Sequence, residues 1–406
     1  MTTTAAPTRA DRRARGAVAA LFLTNGALFA NILPRYPEIK EQLGLDNTVY
    51  GLAVASFPVG AIVAGLAAAT LIRRFGSAKV AVVGTVLTSV GVLAAGLAPS
   101  VLLFALGLFI GGAMDAITDV AQNAHGLRVQ RGYGRSILNS FHAVWSIGAV
   151  LGGSMAAGAI ALGLPIGVHL AISAVLFSAV SLTALRFCLP GLDAAGAAAD
   201  AEDEEAVADP GEVQAAVRAG IRPRVVLMLI ALVIIAMAGT IVEDAGNSWA
   251  TLYLGSLGAP AAIAATGFIA LVGAQFIGRL LGDGLVDRFG QRLVARAGGV
   301  IVVVGMGVAL ALPTIPGTII GFAAAGFGVA TLVPAAMNEA DVLPGLRHGT
   351  GLTVVSWLMR LGFLLSPPVV GLIADATSLR VGLLLIPAVG VAVVLFAGVL
   401  RGCDRR

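Results

Sequence analysis

Apolar residues come in blocks of about 20 along nearly the whole 406-residue chain, separated by short stretches rich in Gly, Pro or Arg. A helix rises about 1.5 Å per residue, so each block can cross the ~30 Å hydrocarbon layer of a bilayer. The pattern predicts spans over residues 17–34, 50–72, 79–97, 101–123, 137–162 and 166–187. A second set follows over 224–245, 260–284, 293–312, 315–338, 350–373 and 379–400. Between the two sets, residues 191–222 carry a run of acids from Asp193 to Glu212 and no long apolar segment, the signature of a solvated linker. The organisation this predicts is an N-terminal tail (1–16), a six-helix bundle (17–190), a cytoplasmic acidic linker (191–222), a second six-helix bundle (223–400) and a short tail (401–406).

Composition makes the bilayer necessary. The chain is 58% hydrophobic and 12% charged, against about 25% charged in an ordinary soluble domain, and no aqueous core could hide that much apolar surface. Cytoplasmic loops retain Lys and Arg. With both termini inside, 21 of the 26 basic residues fall on the cytoplasmic side, Arg35, Lys40 and Arg380 lie outside, and Arg279 and Arg360 sit within spans. The formal charge of +4 thus reports topology and gives no ground for nucleic-acid binding. The expectation is a monomeric, multi-pass protein of the inner (cytoplasmic) membrane. Asn25 and Asn31 inside the first span, with no cleavage site after it, argue against a cleavable signal peptide. Cys188 and Cys403 both fall on the reducing side, so no disulfide is implied, nor any metal or cofactor.

If the two sets are duplicates, the Gly and Pro residues that mark close helix contacts should recur at one offset. At an offset of 214 residues Gly76 matches Gly290, Gly84 matches Gly298, Gly91 matches Gly305, Pro99 matches Pro313, Gly107 matches Gly321, Gly112 matches Gly326 and Gly148 matches Gly362. The turn after the second span of each half reads Arg74-Phe75-Gly76-Ser77-Ala78-Lys79 in one and Asp287-Arg288-Phe289-Gly290-Gln291-Arg292 in the other. These turns resemble the loop motif Gly-x-Leu-Ala-Asp-Arg-x-Gly-Arg-Lys of the Major Facilitator Superfamily, and the resemblance extends over essentially the entire chain. It implies an all-α membrane fold of 12 transmembrane helices in two pseudo-symmetric six-helix bundles, and secondary transport of a small molecule. The runs Asp119-Val120-Ala121-Gln122-Asn123-Ala124-His125-Gly126 and Ser140-Phe141-His142-Ala143-Val144-Trp145-Ser146 are similar to the MosC-like branch, related to fucose permeases. The first turn departs from the family motif by carrying Arg73 where the family has Asp, so the loop carboxylate passes to Asp287. The resemblance also implies an inward-side latch among Arg73, Arg74, Asp119, Asp287 and Arg288.

Ionisable groups in hydrocarbon cost about 3 kcal/mol even on lenient scales, so each asks for a partner, a wet cavity or a function. Asp115 lies near the middle of the fourth span, where it either binds a polar solute or proton or is structurally paired. Asn139, His142 and Ser146 recur at helical spacing in the fifth span, with Trp145 beside them, and can face one cavity. Histidine is the side chain whose unperturbed pKa lies nearest neutrality, which makes His142 a proton-linked candidate, or a packing histidine. Arg360 sits about ten residues into the eleventh span, where it stays charged. Glu243 near the end of the seventh span is a candidate for proton coupling, Glu243 and Asp244 together could form an outer gate or contact sugar rings, and Trp249 and Tyr253 beyond them read as interfacial anchors. Asn25, Asn31 and Trp357 complete the substrate-facing candidates.

Neither a nucleotide-binding Walker loop nor a recognisable catalytic motif is present, which leaves an ion gradient or exchange to drive uphill transport and gives no enzyme. The expected mechanism is alternating access, coupled to protons, with a sugar- or cyclitol-like small-molecule substrate held at mid-membrane between the halves. Gly148 to Gly153 keeps the glycines but lacks the proline of an exporter-type motif, which tilts the reading toward import. Proton-antiport efflux of a drug or secondary metabolite is the alternative.

Overall fold

The structure, a computed structural model, describes residues 8–133, 137–192, 223–343, 346 and 350–402, with the side chain of Asn139 excepted. The predicted acidic linker from 193 to 222, and Cys403, lie outside the described residues. Among the described residues, twelve helices are long and apolar enough to cross a membrane: α1 (Arg9–Gln42), α2 (Asn47–Phe75), α3 (Ser77–Gly96), α4 (Val101–Tyr133), α5 (Ser140–Ala161), α6 (Ile166–Leu185), α7 (Pro223–Ser256), α8 (Ala261–Phe289), α9 (Gln291–Ala311), α10 (Ile315–Asp341), α11 (Thr350–Ala376) and α12 (Leu379–Val399). The described residues form no strand. A chain in hydrocarbon has to pair each backbone N–H and C=O internally, and a helix does so within one segment.

Each predicted span falls on its own helix, and the differences lie at the ends. Helix α4 continues to Tyr133 and α7 to Ser256, well past the predicted ends at 123 and 245. Hydropathy falls there, but backbone pairing does not, and the extensions are covered by neighbouring helices. His125 and Val129 on α4 are buried, as are Trp249 and Tyr253 on α7. The last two correct the anchor reading: Trp249 is 0% exposed and meets Tyr50 edge-on at 4.9 Å between ring centroids.

By internal packing the chain divides into two units, Met1–Leu43 with Ser56–Glu205, and Gly44–Ala55 with Ala206–Arg406. The first part of α2 therefore belongs to the second unit. Its opening turn is capped twice there: Asp46 accepts from the Val49 N–H at 2.7 Å, and Asp375 of α11 accepts from the backbone N–H and side chain of both Asn47 and Thr48 at 2.7–3.1 Å. Carboxylates at a helix N-terminus pair with its unsatisfied N–H groups and its dipole.

The repeat at offset 214 reappears as repeated contacts inside each unit. A Cβ added at Gly112 would strike the Phe57 carbonyl, and one at Gly326 the Leu271 carbonyl. Gly148 lies against Leu23 and Gly362 against Met237; Gly107 lies against Ala95 and Gly321 against Ala309. In every case both partners shift by the same 214 positions. The basic turns repeat as well. Gly76 and Gly290 begin α3 and α9 at φ of +83° and +78°, a region open to Gly without a steric penalty, and Arg74 and Arg288 lie over the preceding turn's Phe75 and Phe289 rings at 5.4 and 5.3 Å.

Gly112→Val and Gly326→Val should therefore destabilise to a similar degree, each by about 1–3 kcal/mol or more. Gly65→Val, where a Cβ meets nothing within 4 Å, should be close to neutral. Thermal unfolding of the purified variants in detergent, followed by size-exclusion chromatography, measures all three.

Candidate functional site

In the first unit, three of the expected residues come together from three helices. The Trp145 indole N–H of α5 donates to Asn25 Oδ1 of α1 at 2.7 Å, and Asn25 Nδ2 donates to Asp115 Oδ1 of α4 at 2.7 Å. An indole nitrogen can only donate, which fixes the Asn25 amide: its oxygen faces Trp145 and its NH2 faces the carboxylate. Among the described residues this is the only hydrogen bond to Asp115, so its second oxygen is free. Asn25 is buried and Asp115 and Trp145 are half-buried. The cluster offers one carboxylate oxygen and an indole face, held in place by an amide that has no remaining freedom.

The neighbours on α5 do not join it through hydrogen bonds. His142 is exposed, with its ring edge-on to Phe22 at 5.2 Å. Ser146 is buried and donates to the His142 carbonyl one turn back at 3.1 Å, the usual way a membrane helix absorbs a hydroxyl. The side chain of Asn139 lies outside the described residues. Asn31 is engaged elsewhere: its Oδ1 receives His169 Nε2 at 2.8 Å and the Ser173 hydroxyl at 3.0 Å, both of α6. His169 Nδ1 in turn accepts from Arg35 Nε at 3.4 Å, and Arg35 also binds Glu38 at 2.7 Å and the Leu164 carbonyl at 2.8 Å.

In the second unit, Glu243 of α7 accepts from Gln275 Nε2 of α8 at 2.7 Å and faces Arg279 at 3.6 Å. Arg360 of α11 is half-buried, and among the described residues its guanidinium has no hydrogen-bond or ion-pair partner. Trp357, one turn earlier, is exposed. Of the latch residues, Asp119 accepts from Gln122 at 3.0 Å and Asn123 at 3.3 Å on its own helix, Arg73 donates to Thr70 at 3.1 Å, and Arg74, Asp287 and Arg288 are exposed.

Two buried histidines escaped the sequence reading as site residues. His169 anchors the Asn31 network, and His125 joins the Ser77 hydroxyl at 2.9 Å to the Leu189 N–H at 3.2 Å. A His inside an apolar run was the available signal, but its partners lie 48 to 138 residues away. Gln275 was legible as an intramembrane amide on the same ground.

Asn25→Leu should leave the Asp115 carboxylate and the Trp145 N–H without partners, at a cost of about 1–3 kcal/mol per buried group. Asn25→Leu combined with Asp115→Leu and Trp145→Phe should recover much of that loss, because no polar group is then stranded. Thermal unfolding of the single and triple variants distinguishes the two.

Comparison with known proteins follows this geometry. The family model of the Major Facilitator Superfamily matches residues 18–283. The membrane protein MosC of Rhizobium meliloti is 28% identical over 378 residues, covering 93% of this chain and 88% of that protein. Among solved structures, the nucleoside transporter NupG aligns with a TM-score of 0.68 at 14% identity, covering 96% of both chains. The D-xylose-proton symporter aligns with a TM-score of 0.66 at 17% identity, covering 95% of this chain and 96% of that one. The two structural likenesses carry the fold alone.

Proposed function

Because this chain belongs to the Major Facilitator Superfamily, and is thus a secondary transporter rather than an enzyme, we propose that it moves a small polar, hydroxyl-rich solute, sugar- or cyclitol-like, by proton-coupled alternating access. The observation that carries this reading is the Trp145–Asn25–Asp115 chain. Its free carboxylate oxygen suits a hydroxyl donor, and its indole suits the C–H face of a sugar ring. The same oxygen can hold a proton in exchange for the solute. NupG and the D-xylose symporter are named for a nucleoside and a sugar, both polyhydroxylated, and the second for its proton.

Arg360 adds a cation with its donors uncommitted, ready for a hydroxyl or anionic group of the solute, and Trp357 stands one turn away. Exposed His142 is a second proton-linked group. Glu243, held by Gln275 and Arg279, serves as a fixed charge. Asn31, Asn139 and Ser146 complete the lining in this reading. Arg73, Arg74, Asp119, Asp287 and Arg288 form the inward latch, with both termini and the acidic linker in the cytoplasm and the protein acting as a monomer in the inner membrane.

Counterflow and proton flux in proteoliposomes test this, with D-xylose, myo-inositol, uridine, a dicarboxylate and a cationic drug as probes. The expected result is accumulation of a polyhydroxylated probe driven by an inward proton gradient; gradient-driven extrusion of the drug would overturn it in favour of efflux. Arg360→Ala should reduce transport about 10- to 100-fold, the loss of one charged hydrogen bond, while membrane insertion is intact. Asp115→Asn should remove the pH dependence of uptake while leaving exchange.

A further inference from the structure

Charges in the first turns of α1 divide between two faces of that helix. Asp11 accepts from the Thr8 N–H and hydroxyl at 2.9 and 2.6 Å and lies against Gly132 of α4. Arg15, one turn on, lies over the Tyr133 ring of α4 at 5.4 Å. Arg13 is two positions from each, and at about 100° per residue it points to the opposite side. It is exposed, and among the described residues its guanidinium has no hydrogen-bond or ion-pair partner. Arg9, one turn earlier on the same face, is exposed as well.

Beside Arg13 the same face of α1 opens on a groove of about 540 Å³ against α6. Gly16, Ala17 and Ala20 line it from α1, Leu176 and Val180 from α6, and Phe187 from just beyond the end of α6. Farther along, the two helices are joined where Asn31 meets His169 and Ser173 at 2.8 and 3.0 Å. In the groove nothing larger than a methyl group enters from these α1 positions, and a Cβ added at Gly16 would meet nothing within 4 Å. From Leu176 to Phe187 the groove runs about 16 Å at 1.5 Å per residue, the depth of one leaflet of a ~30 Å hydrocarbon layer. At the 214 offset Arg13, Gly16 and Ala20 correspond to Leu227, Ile230 and Ile234. The second unit thus carries bulk and no cation where the first carries space and a cation.

We propose that the seam between α1 and α6 is a binding site for one anionic phospholipid, with an acyl tail in the groove and the phosphate on Arg13. Basic side chains at the membrane surface attract anionic headgroups, and Arg13 has no carboxylate of its own to satisfy it. A zwitterionic lipid brings its own ammonium and gains less from the same guanidinium. The small residues of α1 let the tail approach the helix closely, which is what dispersion contacts require. The site stands apart from the Trp145–Asn25–Asp115 cluster and holds whatever the transported solute is.

Native mass spectrometry of the purified protein in detergent, titrated with dioleoylphosphatidylglycerol or with dioleoylphosphatidylcholine, tests this. The expected result is a single anionic lipid held about fivefold more tightly than the zwitterionic one, the effect of one basic residue beside an anionic headgroup. Arg13→Ala should erase that preference. Gly16→Ile, which gives α1 the side chain that Ile230 provides in the second unit, should lose the retained lipid of both kinds. Thermal unfolding of both variants checks that the fold persists. Equal retention of the two lipids by the wild type would overturn the charge match, and an undiminished preference in Arg13→Ala would overturn the assignment to this rim. Unchanged retention in folded Gly16→Ile would remove the groove from the site. Glycerol 1-phosphate, a headgroup without a tail, should not compete at equal concentration; competition would overturn the lipid in favour of a site for free phosphate esters.

Discussion

Hydrocarbon offers a backbone no hydrogen bonds, so peptide groups in a spanning segment pair within helices, and lipid tails are as apolar as the side chains they would replace. What remains to hold helices together is close packing. Here that packing is backbone against backbone at glycine: Gly112 on Phe57, Gly148 on Leu23, Gly326 on Leu271, Gly362 on Met237. Contacts this close admit no side chain. Asn25 reaches Asp115 and Trp145 because α1 is drawn against α5 at Gly148 and Gly152.

The two units share this scaffold and differ in chemistry. At the offset that superimposes the glycine contacts, Asn25, Asp115 and Trp145 correspond to Gly239, Val329 and Met359. Glu243, Asp244, Gln275 and Arg279 correspond to Phe29, Ala30, Ala61 and Gly65. Small-residue contacts are steric and tolerate one solution, so they stay; a polar cluster costs stability in either unit, so each survives only where it does something. A transporter built this way has a carboxylate braced by an amide in one unit and a carboxylate pair split by a single arginine in the other.

That split follows from helix geometry. Adjacent residues Glu243 and Asp244 point to different surroundings because consecutive positions on a helix are separated by about 100°. One side chain meets Gln275 and Arg279, while the other has a carboxyl oxygen buried without a hydrogen-bond partner. Two carboxyls one residue apart therefore have unlike surroundings.

The chain's own pattern settled the number of spans, the two-fold repeat and its register, because hydropathy and glycine spacing are properties of a single helix and of the contact it makes at each turn. It also marked Asp115 and Arg360, since a charge in an apolar run is conspicuous without any knowledge of partners. Tertiary packing decided the rest. The pairing of Asn25 with Asp115 and Trp145 joins residues 90 and 120 positions apart, and no local pattern encodes which helix faces which. The burial of Trp249 and Tyr253, the diversion of Asn31 to His169, and the different fates of Glu243 and Asp244 all depend on the helix that lies opposite. A side chain's chemistry in hydrocarbon is set by its nearest polar neighbour, and that neighbour is supplied by another helix.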